Sequence, residues 1–160
     1  MTIDSREFRR TLGRFATGVT VVTMRSGTRC YGITVNAFMS VSLEPPLIAV
    51  AIDKSARAHP TLAASERFGV SILRADQQAL SDHFAGRPVT GVTDPFVDFH
   101  GFPLLGGAMG QLLCRVHEVI DAGDHSIFLG EVEALSASEG EPLLYFAGDY
   151  ERMRELELSD

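Results

Sequence analysis

The chain has 160 residues, of which 45% are hydrophobic and 22% are charged, and its formal net charge is −7 at pH 7. This length predicts one domain over 1–160, since domains usually hold roughly 100–200 residues. The acidic balance argues against nucleic acid or an anionic membrane as the main partner, because both favour basic surfaces. No window reaches the ~18 consecutive apolar residues of a membrane helix. The first residues also lack the apolar run of a signal peptide, so we expect a cytoplasmic protein.

The chain opens with a predicted amphipathic helix over 4–16, DSREFRRTLGRFA. Apolar side chains recur there at spacings of four and three residues, which places Phe8, Leu12 and Phe15 on one side. Asp4 or Ser5 can cap the first turn. A strand, VTVVTM, is predicted after Gly18 because its residues are β-branched. The Ser26-Gly27 pair is a turn signal, so a second strand from Cys30 completes a predicted hairpin.

A segment of alternating polar and apolar residues follows, GITVNAFMSVSLEPPLIAV at 32–50. In an extended strand, residues two apart share a face. One face is then predicted to carry hydroxyls and an amide, from Thr34, Asn36, Ser40 and Ser42. The other face would carry Ile33, Val35, Ala37, Met39 and Val41. A core strand has little reason to line one face with small polar groups, so the pattern favours a strand, or a strand leading into a loop, that wraps a polar ligand.

The rest of the chain predicts further strands with short helices between them. LIAVAI and FGVSIL read as buried strands. Pro60 opens one short helix, and Gly86 ends another in QQALSDHFAG. Residues 87–103 are predicted to form a long loop. Two long alternating segments meet near Gly123-Asp124 as a hairpin, and PLLYFAGDY is a last short strand and turn. Because no regular βαβ alternation is present, a mainly β or α+β fold is expected, and a doubly wound sheet is not.

Several motif classes are missing from the sequence. The dinucleotide-binding GxGxxG, the phosphate-binding GxxxxGK[ST] and the nucleophile-elbow GxSxG patterns do not occur. The five histidines show no zinc spacing, so we expect no metal site. Cys30 and Cys114 form no CxxC pair and are expected to be buried free thiols.

Five pieces of the chain, taken in order, resemble one family. They are RFATGVTVVT at 14–23, the polar segment at 32–50, Asp53-Lys54-Ser55, LSDHFAG at 80–86 with GFPLLGGAMGQLLC at 101–114, and AGDHSIFLGEVEAL at 122–135 with PLLYFAGDY at 142–150. The ordered set resembles the flavin reductase-like family of short NAD(P)H:flavin oxidoreductases. The resemblance implies a homodimeric, FMN-binding split β-barrel that reduces FMN or FAD with NADH or NADPH. Many members supply the reduced flavin to a separate monooxygenase.

The resemblance also implies which residues form the site. Contacts to the flavin ring and phosphate are carried over to Thr34, Val35, Asn36, Ala37, Ser40, Val41 and Ser42. Lys54 and Ser55 match a second phosphate-contacting patch, where Lys supplies charge and Ser a directional donor. Phe84 is a further candidate contact to the cofactor. His125 of the GDH motif is the candidate catalytic residue that helps to place the nicotinamide, and Tyr150 matches an aromatic residue near the dinucleotide.

Plainer interpretations stay open at each of these positions. Hydroxyls at Thr34, Ser40 and Ser42 suit a solvent-exposed strand face. Lys54 suits a surface lysine, Phe84 suits the core, and a lone histidine at a turn, such as His125, suits a structural or solvated role. Asp149 stands where relatives often have Arg, so a phosphate role there is doubtful. Alternative functions are a flavin-binding module without reductase activity, a flavoprotein reductase with a corrinoid or iron complex as acceptor, and a structural interaction protein. The sequence does not distinguish FMN from FAD or NADH from NADPH.

Overall fold

The computed structural model describes residues 2–153, and within them the fold is mainly β with short helices, as the sequence predicts. The helices are α1 (Ser5–Leu12), α2 (His59–Ala63) and α3 (Gln78–Phe84), with a 3-10 turn at Ala75–Gln77. The strands are β1 (Thr17–Gly18), β2 (Thr20–Ser26), β3 (Arg29–Val35), β4 (Phe38–Leu43), β5 (Pro46–Asp53), β6 (Arg67–Ile72), β7 (Phe96–Phe99), β8 (Phe102–Leu105), β9 (Gly110–Ala122), β10 (His125–Ala137), β11 (Leu144–Phe146) and β12 (Asp149–Glu151). None of the helices in residues 2–153 has the length and hydropathy to cross a membrane.

Seven strands form one antiparallel sheet in the order β3-β2-β6-β9-β10-β5-β4. A second sheet has the order β1-β11-β12, and β7 pairs with β8. Among the described strands, no ladder joins the edge strands β3 and β4, so the large sheet does not close into a barrel. The chain crosses from one edge to the other through Asn36 and Ala37 alone.

The long β9–β10 hairpin confirms the sequence prediction at its turn. Ala122 pairs with His125, so Gly123 and Asp124 are the two turn residues. Gly123 has a φ of +67°, a conformation that glycine adopts without steric cost. This turn fixes the position of His125 at the start of β10.

The core has two parts. The larger cluster fills the inner face of the large sheet and includes Met24, Ile52, Phe68 and Phe128, each no more than 1% exposed. Gly130 lets Phe68 pack against β10, since a Cβ there would lie 2.5 Å from its ring. The smaller cluster lies under α3 and consists of Val19, Val21, Leu73, Leu105 and Leu143, with Phe84, Tyr145 and Tyr150 packed against it.

The prediction of a loop over 87–103 is wrong in its second half, where β7 and β8 form a hairpin. The turn residues are His100 and Gly101, with φ of +51° and +78°. Two consecutive positive φ values match the twist of the paired strands. His is uncommon at the first of these positions, so the turn residues did not predict this hairpin.

Helix α1 begins as predicted, with Asp4 as its cap. The Asp4 carboxylate accepts hydrogen bonds from the backbone N–H groups of Arg6 at 3.0 Å and Glu7 at 2.9 Å. The helix ends at Leu12, so the predicted extension to residue 16 is wrong and Phe15 lies beyond the helix. The three predicted apolar residues stay outside the core, with Phe8 52%, Leu12 56% and Phe15 78% exposed.

Candidate functional site

The polar segment forms two strands at opposite edges of the sheet, not one continuous face. Thr34 is on β3, while Ser40 and Ser42 are on β4. In between, Asn36 and Ala37 are exposed and lie outside any strand. The prediction of one shared polar face is therefore wrong, because the chain crosses the opening of the sheet at this point.

A β-bulge at Val41 separates Ser40 from Ser42 as well. Ser40 pairs with Ile48, and Ser42 pairs with Leu47. Since adjacent residues of β5 point to opposite faces and cross-strand partners share a face, the two serines point to opposite faces. The Ser42 hydroxyl accepts a hydrogen bond from the backbone N–H of Glu44 at 3.2 Å.

A groove of about 340 Å³ opens beside the Asn36–Ala37 crossing. Its lining is mostly small or apolar: Phe15, Thr17, Asn36, Ala37, Phe38, Met39, Ala49, Ala51 and Ile127. Ala49 pairs with Met39, and Ala51 pairs with Ile127, so these four side chains share one face of the sheet. Two alanines at the centre of that face leave room for a ligand between the larger Met39 and Ile127.

The same face continues from the groove to His125. This residue is two positions before Ile127 on β10 and pairs with Asp53 on β5, so His125 and Ile127 share a face at a separation of about 7 Å. The backbone N–H of Lys54 donates to the carbonyl of Asp124 at 2.9 Å. The structure thus brings Lys54 and Ser55 together with His125.

Carboxylates surround the charged groups at this end. The Lys54 ammonium forms an ion pair with Asp121 and donates to the carbonyl of Gly123 at 2.6 Å. His125 Nδ1 lies 2.7 Å from an Asp124 carboxylate oxygen. That hydrogen bond, with the charge of His125, lowers the pKa of Asp124. Hydrogen bonds from the Ser55 hydroxyl and N–H, each 2.7 Å, lower the pKa of Asp53.

Thr34 and Tyr150 both hydrogen-bond to Ser81 of α3. The Thr34 hydroxyl donates to the Ser81 carbonyl at 2.6 Å, and the Ser81 hydroxyl lies 2.7 Å from the Tyr150 hydroxyl. Tyr150 also donates to Asp82 at 3.3 Å. A cavity of about 190 Å³ lies there, lined by Val19, Thr34, Asn36, Ser81, Ala85, Arg87, Tyr145 and Tyr150.

Asn36 lines both this cavity and the groove, so the crossing residue connects the two places. A third cavity, of about 620 Å³, lies along α1 and is also lined by Asn36.

Phe84 packs against Phe96, with ring centroids 5.8 Å apart. It also covers Gly32, where a Cβ would lie 2.7 Å from its ring.

The model of the flavin reductase like domain matches residues 12–154 of this chain. The chain belongs to the flavin reductase-like family. A curated relative, the reductase component of 4-hydroxyphenylacetate 3-monooxygenase from Thermus thermophilus, is 45% identical over 91% of this chain and 95% of its own length. The NADH-dependent FAD reductase of Streptomyces globisporus is 41% identical over 93% of this chain and 86% of its own length.

Solved structures of family members have the same fold. Flavin reductase PheA2 in its native state superposes with a TM-score of 0.92 at 40% identity, covering 96% of this chain and 100% of its own. The NADH:FAD oxidoreductase SgcE6 of Streptomyces globisporus, in complex with NAD and FAD fragments, superposes with a TM-score of 0.88 at 38% identity. That match covers 98% of this chain and 99% of SgcE6.

The groove of this family member fits a flavin in chemical terms. Small apolar side chains suit a flat aromatic ring, and a few polar groups at the edge suit its heteroatoms. Asn36 provides one such group, since its exposed side chain lines the groove. Among the same residues, no group of three or more His, Cys, Asp or Glu side chains is placed to hold a metal ion.

Sequence reasoning missed much of the groove lining: Phe15, Thr17, Ala49, Ala51 and Ile127. Phe15 was assigned only to the apolar side of a helix. Ala49 and Ala51 lie in a strand that was read as buried because of its continuous apolar run, and nothing in such a run distinguishes a groove from a core. The available signal was the family resemblance, whose pieces at 14–23, 32–50 and 122–135 contain Phe15, Thr17, Ala49 and Ile127.

Proposed function

We propose that this protein is an NAD(P)H:flavin oxidoreductase that reduces FMN or FAD with NADH or NADPH and supplies reduced flavin to a separate monooxygenase. One observation carries the proposal: the apolar groove at the Asn36–Ala37 crossing shares a sheet face with His125, whose turn is hydrogen-bonded to Lys54. Ring, phosphate and nucleotide contacts are therefore close together in a chain whose relatives are named as flavin reductases.

In this proposal the flavin ring lies in the groove against Ala49, Ala51 and Ile127. The bound flavin supplies the hydride-accepting chemistry, and the protein supplies contact, orientation and electrostatics. Asn36 and the backbone around Ala37 bind polar atoms at the ring edge. Thr34 and Val35 hold the crossing in place from β3. Flavin contacts at Ser40, Val41, Ser42 and Phe84 stay predictions from the family resemblance, since none of these four residues lines the groove.

Lys54 and Ser55 bind the flavin phosphate in this arrangement. The Lys54 ammonium is already held at this end of the sheet by Asp121 and the Gly123 carbonyl. A phosphate would replace Asp121 as the partner of Lys54, since charge-assisted hydrogen bonds to phosphate are strong. The Ser55 hydroxyl, now bonded to Asp53, would be the second donor.

His125 and Tyr150 are proposed to position the pyridine nucleotide. His125 lies beyond the groove on the face that the flavin ring covers, and Asp124 orients its imidazole through Nδ1. Nε2 is then the ring atom available to the nucleotide. Tyr150 approaches from the other side of Asn36, where Ser81 and Asp82 hold its hydroxyl.

We also propose that the protein is a cytoplasmic homodimer whose open sheet is a split β-barrel. Two segments next to groove-lining residues carry exposed apolar side chains, the first including α1 and the second being β4: Phe8, Leu12, Phe15, Met39, Val41 and Leu43. Leu43 alone is 95% exposed. Burying such side chains against a second copy would remove a large apolar area from water.

Anaerobic mixing of the protein with FMN and NADH, followed by the loss of flavin absorbance, tests the proposed activity. Wild type is expected to bleach the flavin catalytically. Ala37→Trp fills the groove from an exposed position and is expected to abolish most of the activity. Ala63→Trp, on the exposed surface of α2, is the matched control and should keep it. Flavin binding without bleaching would leave only a binding module, and equal activity in both variants would move the site elsewhere.

A further inference from the structure

The cavity of about 620 Å³ along α1, which we call the α1 cavity, is lined by three arginines. Arg9 and Arg10 lie on α1, and Arg14 lies two residues beyond its end. Within residues 2–153, no Asp or Glu side chain contributes to this lining. A cleft lined by charges of one sign concentrates the electric field and attracts ligands of the opposite sign. The α1 cavity is therefore suited to an anionic ligand.

The three arginines of the α1 cavity also differ from the cations that the fold uses in ion pairs. Such pairs are formed by Lys54, Arg67, Arg74, Arg87 and Arg115. The cavity arginines form no ion pair with a carboxylate in the described part of the chain. A guanidinium group without a carboxylate partner can bind phosphate oxygens with two N–H groups at once.

The α1 cavity adjoins the groove, because Phe15, Thr17 and Asn36 line both. His125 adjoins another part of the groove, since it shares a sheet face with Ile127. In a pyridine nucleotide, a ribose joins the nicotinamide to the diphosphate. One bound molecule can therefore contact His125 with its nicotinamide and extend its diphosphate into the α1 cavity.

The flavin has a different cation for its phosphate in the proposed function. Lys54 does not line the α1 cavity, and the second phosphate of FAD is bonded directly to the first. The diphosphate of FAD is therefore expected near Lys54, which leaves the arginines for the pyridine nucleotide. Phe8 and Tyr145 in the same lining offer aromatic surfaces on which an adenine can stack.

We propose that the α1 cavity binds the diphosphate of the pyridine nucleotide through Arg9, Arg10 and Arg14. This inference rests on the proposed function. It names a binding site for the phosphate-bearing half of the reductant, a half to which the proposed roles of His125 and Tyr150 assign no cation. The arginines bind the nucleotide and take no part in the hydride transfer.

The test compares Arg14→Met, which removes a guanidinium and keeps an apolar stem, with Arg14→Lys, which keeps the charge. Arg6→Met is the matched control, because Arg6 is an exposed arginine of α1 outside the cavity lining. The KM for NADH is measured with excess FMN. The Kd for ADP-ribose, which has the diphosphate and adenosine without the nicotinamide, is measured by titration calorimetry.

Arg14→Met is expected to raise both values by about five- to tenfold, the effect of one charge-assisted contact. Its kcat should be unchanged, because a contact remote from the hydride contributes equally to the ground state and the transition state. Arg14→Lys should stay within about threefold of wild type, and Arg6→Met within about twofold. The Kd values of Arg14→Met for FMN and for FAD, measured without nucleotide, should also stay within about twofold of wild type.

Four results would overturn the inference. Unchanged values in Arg14→Met would show that this arginine does not reach the nucleotide. An equal loss in Arg6→Met would reduce the effect to the general charge of α1. A weaker Kd for FAD with an unchanged Kd for FMN would assign the cavity to the adenylate half of FAD. A change of oligomeric state in Arg14→Met would make the arginine an interface contact. If wild type does not reduce flavin with NADH, the proposed function fails, whereas the titration with ADP-ribose still tests the cavity.

Discussion

The hydroxyls of Tyr150 and Ser81 lie 2.7 Å apart and join the β11–β12 hairpin to α3. Ser81 is fully buried, and its carbonyl accepts the Thr34 hydroxyl on the other side. One residue of α3 therefore fixes both the last hairpin and the strand that leads into the groove. Thr34, which is predicted to contact the flavin, and Tyr150, which is predicted to lie near the dinucleotide, are therefore linked through α3.

Tyr150→Phe is expected to lower the free energy of unfolding by about 1 kcal/mol or more, because it leaves the buried Ser81 hydroxyl without its partner. Urea unfolding of the flavin-free protein measures this. Tyr145→Phe is the matched control, since it removes a hydroxyl from the neighbouring ring and keeps the contact to Ser81. Equal stability of Tyr150→Phe and wild type would mean that the hydrogen bond adds nothing to the fold.

Lys54→Met should weaken FMN binding by about three- to tenfold, because a charge-assisted contact to the phosphate is lost while the apolar stem stays. Riboflavin, which lacks the phosphate, should bind both proteins within about twofold of each other. Titration with the two flavins gives the comparison. Asp121→Asn is the companion variant and should bind FMN at least as well as wild type, since it frees the Lys54 ammonium. A matching loss for riboflavin would rule out the phosphate role.

His125→Ala should raise the KM for NADH by about tenfold, the effect of losing one positioning hydrogen bond, and change the Kd for FMN by less than about twofold. Steady-state kinetics and flavin titration measure the two quantities separately. His117→Ala is the control, because His117 is a similarly exposed histidine on β9. Parallel loss of nucleotide and flavin binding in a folded protein would contradict the positioning role.

The two cysteines should differ in reactivity. Burial, reinforced by the charge of Glu133, raises the pKa of Cys114 to about 12, so almost no reactive thiolate forms at about pH 8. Cys30 is only half-buried. A thiol reagent should therefore modify one cysteine in the native protein and both in urea, and Cys30→Ala should react only after unfolding. Fast reaction of native Cys30→Ala would contradict the burial of Cys114.

The raised pKa of Cys114 also makes the stability of the fold depend on pH. The folded-state pKa of Cys114 lies above its ordinary value of 9.0, so the contribution of the neutral thiol is complete below about pH 9 and is lost as the pH rises toward about 12. Cys114→Ala should therefore flatten the alkaline loss of stability relative to wild type, because alanine has no thiol to ionise.

The sequence predicted correctly the features that depend on residues close together in the chain. Long alternation and a Gly-Asp pair predicted the β9–β10 hairpin with His125 at its start, and the carboxylate of Asp4 predicted the first turn of α1. The family resemblance named Lys54, Ser55 and His125 as site residues, and the structure places them at one end of the sheet. These features depend on turn geometry and on the pattern of side chains along single elements.

The features that the sequence did not predict depend on how each strand pairs and packs with other elements. Alternation could not show that Val41 is a bulge, because the bulge exists only against Leu47 and Ile48 of β5. It could not show that Ala49 and Ala51 leave a groove, because the groove needs Phe15 and Ile127 as walls.

In the proposed complex, the groove beside Asn36 and Ala37 holds the flavin ring and Lys54 binds its phosphate. A crystal structure of the protein soaked with FMN would show both contacts at once. We expect ring density against Ala49, Ala51 and Ile127, with the phosphate beside Lys54. A groove that stays empty, or that neighbouring side chains fill while FMN binds elsewhere, would contradict it.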